Sequence, residues 1–163
     1  MIIPLFFACV LPVQAQVLNE TLNYNLNLQQ QSCRRAQADE PFLCSSEPVS
    51  EVRLEVVLNS TPAHALENEA FEGESADVGL TLSGGRGQYL PKLSVRKSVA
   101  AGEAIYTVRL RSFQFLSVGK PTVYETVYIS PTPPSEPLLL MGDRQVVGEN
   151  RFQQVIFSLI SSK

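Results

Sequence analysis

Apolar and polar residues alternate along most of this chain. Leu22, Tyr24, Leu26 and Leu28 interleave with Asn23, Asn25 and Asn27. A period of two puts alternate side chains on opposite faces of an extended strand. This segment therefore predicts a strand with one apolar and one amide face. Val52, Leu54, Val56 and Leu58 repeat the pattern against Glu51, Arg53 and Glu55, and Val78, Leu80 and Leu82 repeat it more briefly. Ser83-Gly84-Gly85-Arg86-Gly87 then predicts a glycine-rich hairpin turn.

Tyr89–Val99 reads as the partner strand, with Leu93 and Val95 facing in and Lys92 and Arg96 facing out. Pro91 has no N–H for a ladder, so the strand is expected to start after it or to lie at an edge. Tyr106, Val108 and Leu110 alternate with Thr107, Arg109 and Arg111. The phase then slips near Ser112, where Phe113 and Phe115 take over the bulk. A bulge or strand break is expected there. Thr122–Ile129, Leu138–Met141 and Phe152–Ile160 complete the predicted strands. Pro131–Pro137 is read as a stiff, extended spacer.

One stretch departs from this period. Thr61–Phe71 offers a capping Thr61, a Pro62 suited to a first helical position, and several helix-favouring residues. A short helix or ordered loop is expected. The whole pattern predicts an all-β chain, an antiparallel β-sandwich of about seven to nine strands. A small closed β-barrel is the alternative. An outer-membrane barrel fits less well, because several strands carry charge on their polar face.

The first residues add a compartment. Met1–Pro12 is an uncharged apolar run, and Val13-Gln14-Ala15 puts small side chains where a leader is cut. The run falls short of the ~20 residues that cross a bilayer as a helix. Residues 1–15 are therefore read as a signal peptide and 16–163 as one β-sandwich domain, secreted or periplasmic. Beyond the leader, Cys33 and Cys44 are an even pair in an exported chain, which predicts a disulfide stapling the loop 33–44. Asn19 and Asn59 each start an N-glycosylation acceptor triplet, of consequence only in a eukaryotic secretory pathway.

The net charge of −3, with Lys and Arg scattered, argues against nucleic acid as a partner. No later apolar run predicts a transmembrane anchor. His64 is the only histidine, and no G-x-S-x-G elbow accompanies it, so no catalytic residue is assigned. Glu67, Glu69, Glu72, Glu74 and Asp77 form an acidic stretch without calcium-loop spacing, and no metal or cofactor is expected. In general look the chain resembles exported β-sandwich modules of immunoglobulin-like or pilin-like type. These readings lead to an exported, non-catalytic binding or assembly module. It would act through strand edges and loops on another exported or cell-surface protein. Asn23, Asn25, Asn27 and Gln29 mark the candidate partner-facing strand. Two other functions are carried forward. One is a small-ligand carrier with an apolar barrel cavity, where Phe113, Phe115, Tyr124 and Tyr128 would line the interior. The other is an exported hydrolase using carboxylates.

Overall fold

The computed structural model describes residues 19–60, 68–81, 87–115 and 119–162. The expected signal peptide (residues 1–15), His64 and most of the expected glycine-rich turn lie outside the described residues. Within them the chain is all-β, in ten strands: β1 (Glu20–Arg34), β2 (Leu43–Ser60), β3 (Asn68–Glu74), β4 (Leu80–Thr81), β5 (Gln88–Ala100), β6 (Glu103–Phe115), β7 (Thr122–Ser130), β8 (Leu138–Met141), β9 (Gln145–Gly148) and β10 (Arg151–Ser161). They form one antiparallel sheet in the order β7-β6-β5-β3-β2-β1-β10-β8, with β4 beside β5 and β9 beside β10.

The sheet curls into a half-barrel. Its end strands β7 and β8 come within 8 Å, Cα to Cα, yet among the described residues no ladder joins them. The curl follows from which faces are apolar. Tyr24, Leu26 and Leu28 of β1, Leu54, Val56 and Leu58 of β2, and Val155, Phe157 and Leu159 of β10 share one face. They close onto Leu93 and Val95 of β5 and Tyr106, Val108 and Leu110 of β6. Phe157 and six of the core leucines are fully buried, each contributing ~2 kcal/mol of apolar burial.

The corner between β2 and β3 is tight. Only Asn59 and Ser60 of β2 pair with β3, opposite Glu72 and Phe71. At the next position a Cβ on Gly73 would run into the Val57 carbonyl, with the Val57 carbon at 2.8 Å and Val56 Cγ1 at 2.9 Å. Glycine is required here because the two backbones nearly touch.

Three local expectations change. Asn68–Glu74 is strand, so the later part of the expected helix joins the ladder with β5. Helix propensity amounts to tenths of a kcal/mol per residue and yields to tertiary pairing. β6 runs unbroken through Ser112, in register with β5 and β7. The apolar phase slips but the strand does not, so Ser112 and Gln114 are buried while Phe115 faces out, 43% exposed. β5 likewise runs straight through Pro91. Leu93 exchanges hydrogen bonds with Ser75, its N–H donating to Oγ and its carbonyl accepting from the Ser75 N–H. The ring nitrogen of Pro91 points to that same side, between β4 and β3, where no strand pairs with it. The expected disulfide forms and closes the segment between β1 and β2. Cys33 and Cys44 are opposite residues of the β1–β2 ladder, with Cα atoms 4.1 Å apart and their sulfurs bonded. That spacing is typical of a non-hydrogen-bonded pair, where side chains approach most closely.

Candidate interaction surface

The interior of the half-barrel is polar at its two ends and apolar between them. At one end Glu20, Lys97 and Tyr106 converge on the concave face. Lys97 Nζ donates to Glu20 Oε2 at 2.7 Å, and Tyr106 Oη donates to Glu20 Oε1 at 3.2 Å. These bonds hold the Lys97 ammonium above its ordinary pKa. Next to them the Tyr24 hydroxyl is buried without a hydrogen-bond partner among the described residues. Burial first, and then the Glu20 carboxylate, push it up to about 12.

The other end is lined by amides. Gln30, Gln114, Gln153 and Gln154 surround a cavity of about 20 Å³ together with Tyr89 and Asp143. That is room for about one water molecule. Tyr124 Oη lies 2.8 Å from Gln114 Oε1, to which it donates, and 3.4 Å from Asp143 Oδ2. Tyr124 belongs to β7 and Asp143 follows β8, so this contact spans the seam where no ladder runs. Burial raises the Tyr89 hydroxyl to about 12 and, more modestly, raises Tyr124.

The outer surface divides in two. Over β3, β5 and β6 it is a lattice of paired charges. Lys92 Nζ lies 2.8 Å from Glu74 Oε2, Arg96 Nε lies 3.4 Å from Glu72 Oε1, and Arg109 and Arg111 both reach Glu125 of β7. Around the seam it is apolar. Val123, Val127 and Ile129 of β7 are 52, 42 and 68% exposed, and Leu139 and Met141 of β8 are 47 and 54% exposed. On β9, Val146 and Val147 are exposed as well. Most large exposed apolar side chains among the described residues thus sit on the strands at the two ends of the sheet.

Asn23, Asn25, Asn27 and Gln29 lie together on the convex face of β1, each half-buried. β1 is an interior strand, paired with β2 along one edge and β10 along the other. Its backbone edges are taken, so the amide row offers side chains only. It is flanked by Glu51, Arg53 and Glu55 of β2 and by Ile156, Ser158 and Ile160 of β10. Asn19 and Asn59 are both exposed. Tyr124 and Tyr128 face inward and are half-buried. Glu72 and Glu74 of the acidic stretch are held in ion pairs. Among the described residues no cluster of metal-ligating side chains forms, and no helix is long and apolar enough to cross a membrane.

Sequence reading missed the exposed row on β7 for a physical reason. Both faces of Val123-Tyr124-Glu125-Thr126-Val127-Tyr128-Ile129 are largely apolar, so alternation cannot say which one is buried. The tyrosines go inward because Tyr124 Oη finds acceptors at the amide end of the interior. The chain matches no known protein family, no curated protein and no solved structure.

Proposed function

We propose that this protein is an exported, non-catalytic binding module that docks another exported protein over the seam between β7 and β8. The observation that carries this reading is the concentration of exposed apolar side chains on β7, β8 and β9. End strands usually carry charge, proline or bulges that discourage pairing. An apolar outer surface at that position marks an interaction site. Among the described residues the seam-facing edges of β7 and β8 also have no ladder partner. Arg109 and Arg111 share the single carboxylate of Glu125, leaving positive charge beside Val123 and Val127. The partner segment is therefore apolar with an acidic flank. The finer architecture, a module of immunoglobulin-like or pilin-like type, belongs to the same proposal, as does export, which the disulfide supports.

The other two functions draw less support. A ligand carrier needs an apolar cavity, whereas Tyr24, Phe157 and the core leucines fill the middle of the interior. Carboxylate hydrolysis needs convergent acids in a cleft, whereas Glu72, Glu74 and Glu125 point outward into ion pairs.

Crosslinking and affinity capture from the native host test this. The wild-type protein should capture a stoichiometric partner with crosslinks on β7 and β8. Val127→Lys with Ile129→Lys should lose it while Tm is unchanged. Equal capture by the variant, or crosslinks confined to other strands, would overturn the reading.

A further inference from the structure

The concave face runs on past the core at the disulfide end. Beyond Leu28 and Phe157 it continues as Gln30, Ser32 and Arg34 on β1 and as Val155, Gln153 and Arg151 on β10. There it forms an open cleft of about 480 Å³, whose walls include Ser32, Arg34, Leu43, Val147, Arg151 and Gln153. None of its lining residues belongs to β7 or β8, and it shares only Val147 of β9 with the apolar surface described above.

Two arginines face each other in it. Arg34 and Arg151 are opposite residues of the β1–β10 ladder. The Arg35 N–H donates to the Asn150 carbonyl at 3.1 Å, one step outside that pair. In an antiparallel ladder this makes Arg34 and Arg151 a non-hydrogen-bonded pair, the kind with its Cα atoms only ~4.5 Å apart. Like charges placed directly opposite destabilise a sheet. Nearby arginines have other engagements: Arg35 donates to Asn150 Oδ1 at 3.0 Å and lies over Phe42, and Arg144 lies over Phe152. Arg34 and Arg151 make no ion pair among the described residues. Glu47, on β2, stands four residues from Leu43, or ~14 Å along an extended strand, too far to neutralise them.

We propose that Arg34 and Arg151 clamp a peptide carboxylate carried next to an apolar side chain. Planar guanidinium groups match a carboxylate in paired hydrogen bonds. Leu43, 71% exposed, and Val147, 50% exposed, give the adjoining side chain an apolar wall. Ser32 lines the same cleft and offers a hydrogen bond to a peptide backbone. A chain terminus and an acidic side chain present the same group.

The test is an NMR titration of the disulfide-intact protein with three probes: N-acetyl-leucyl-valine, its amide, and N-acetyl-leucyl-glutamate amide. At least one of the two carboxylate probes should shift the signals of Arg34, Leu43, Val147 and Arg151, and the uncharged amide should bind at least tenfold more weakly. The stronger carboxylate probe identifies terminus or side chain as the source. Arg34→Gln and Arg151→Gln should each weaken binding about tenfold, the scale of one lost charge-assisted hydrogen bond. Arg53→Gln, on the outer face, should leave it unchanged. Arg151→Glu should abolish binding and raise Tm, because Glu at that position supplies Arg34 with an internal carboxylate. Three results would each overturn the proposal: no binding by either carboxylate probe, equal binding of the uncharged amide, or unchanged affinity in the Arg34→Gln, Arg151→Gln double variant. A lower Tm for Arg151→Glu would refute the like-charge argument behind it.

Discussion

Replacing Gly73 with alanine tests whether the fold depends on the close approach of β2 and β3. The added methyl meets backbone, the Val57 carbonyl group, and not the movable end of a side chain. Val56 Cγ1, at 2.9 Å, belongs to a fully buried core residue and has little room to rotate away. Overpacking a filled site costs about 1–3 kcal/mol, and a backbone obstacle belongs at the upper end of that range. The lower chain entropy of alanine returns about 0.4–1 kcal/mol. The expected net loss is roughly 2 kcal/mol, or a Tm lower by ~4–8 °C in a domain of this size. Gly79→Ala is the matched control, since nothing lies within 4 Å of its Cβ position. It should change stability by no more than ~0.5 kcal/mol for the worse. Urea unfolding followed by far-UV circular dichroism measures both variants with a common m-value. A Gly73→Ala protein within ~0.5 kcal/mol of wild type would refute the argument that the β2 and β3 backbones leave no room for a side chain at this corner.

Other expectations follow from single residues. Converting Cys33 and Cys44 together to alanine removes a cross-link with a sequence separation of 11. It should lower the unfolding free energy by about 3 kcal/mol in the chain-entropy model, read from urea midpoints under oxidising conditions. The Ser112 hydroxyl is buried without a partner among the described residues. Ser112→Ala should therefore be neutral or stabilising by up to ~1 kcal/mol in calorimetry, and a loss above that would mean a bonding partner exists. Tyr24 and Tyr89 hold their protons to about pH 12 in the folded chain, against 10.0 for an unperturbed tyrosine. Above the unfolded pKa the unfolded chain ionises first, so stability is full below pH 10 and falls between pH 10 and 12, by roughly 2–3 kcal/mol per tyrosine at most. Denaturant titrations from pH 8 to 12, run alongside phenolate absorbance, should show that decline. A flat profile would contradict it.

Alternation by itself determined the all-β class, most of the strands and much of the core, because a period of two sorts side chains onto two faces whatever the fold. The pairing of Cys33 with Cys44 was legible too, as Cys33 and Cys44 are the only cysteines outside the apolar N-terminal run. Other features needed long-range pairing. β3 is strand because β5 supplies its ladder, against the helix propensity of its own sequence. β6 keeps its phase through Ser112 because β5 and β7 hold it on both sides, at the cost of burying a serine and a glutamine. Pro91 is tolerated within β5 because its nitrogen faces a gap between two neighbouring strands. The amide row of β1 reads from sequence as a partner-facing strand, and only the sheet order shows that β2 and β10 occupy both its edges. Both candidate surfaces share this origin. The exposed row of β7 and the juxtaposition of Arg34 with Arg151 depend on which strand lies beside which, and residues far apart along the chain carry no local signal of that choice.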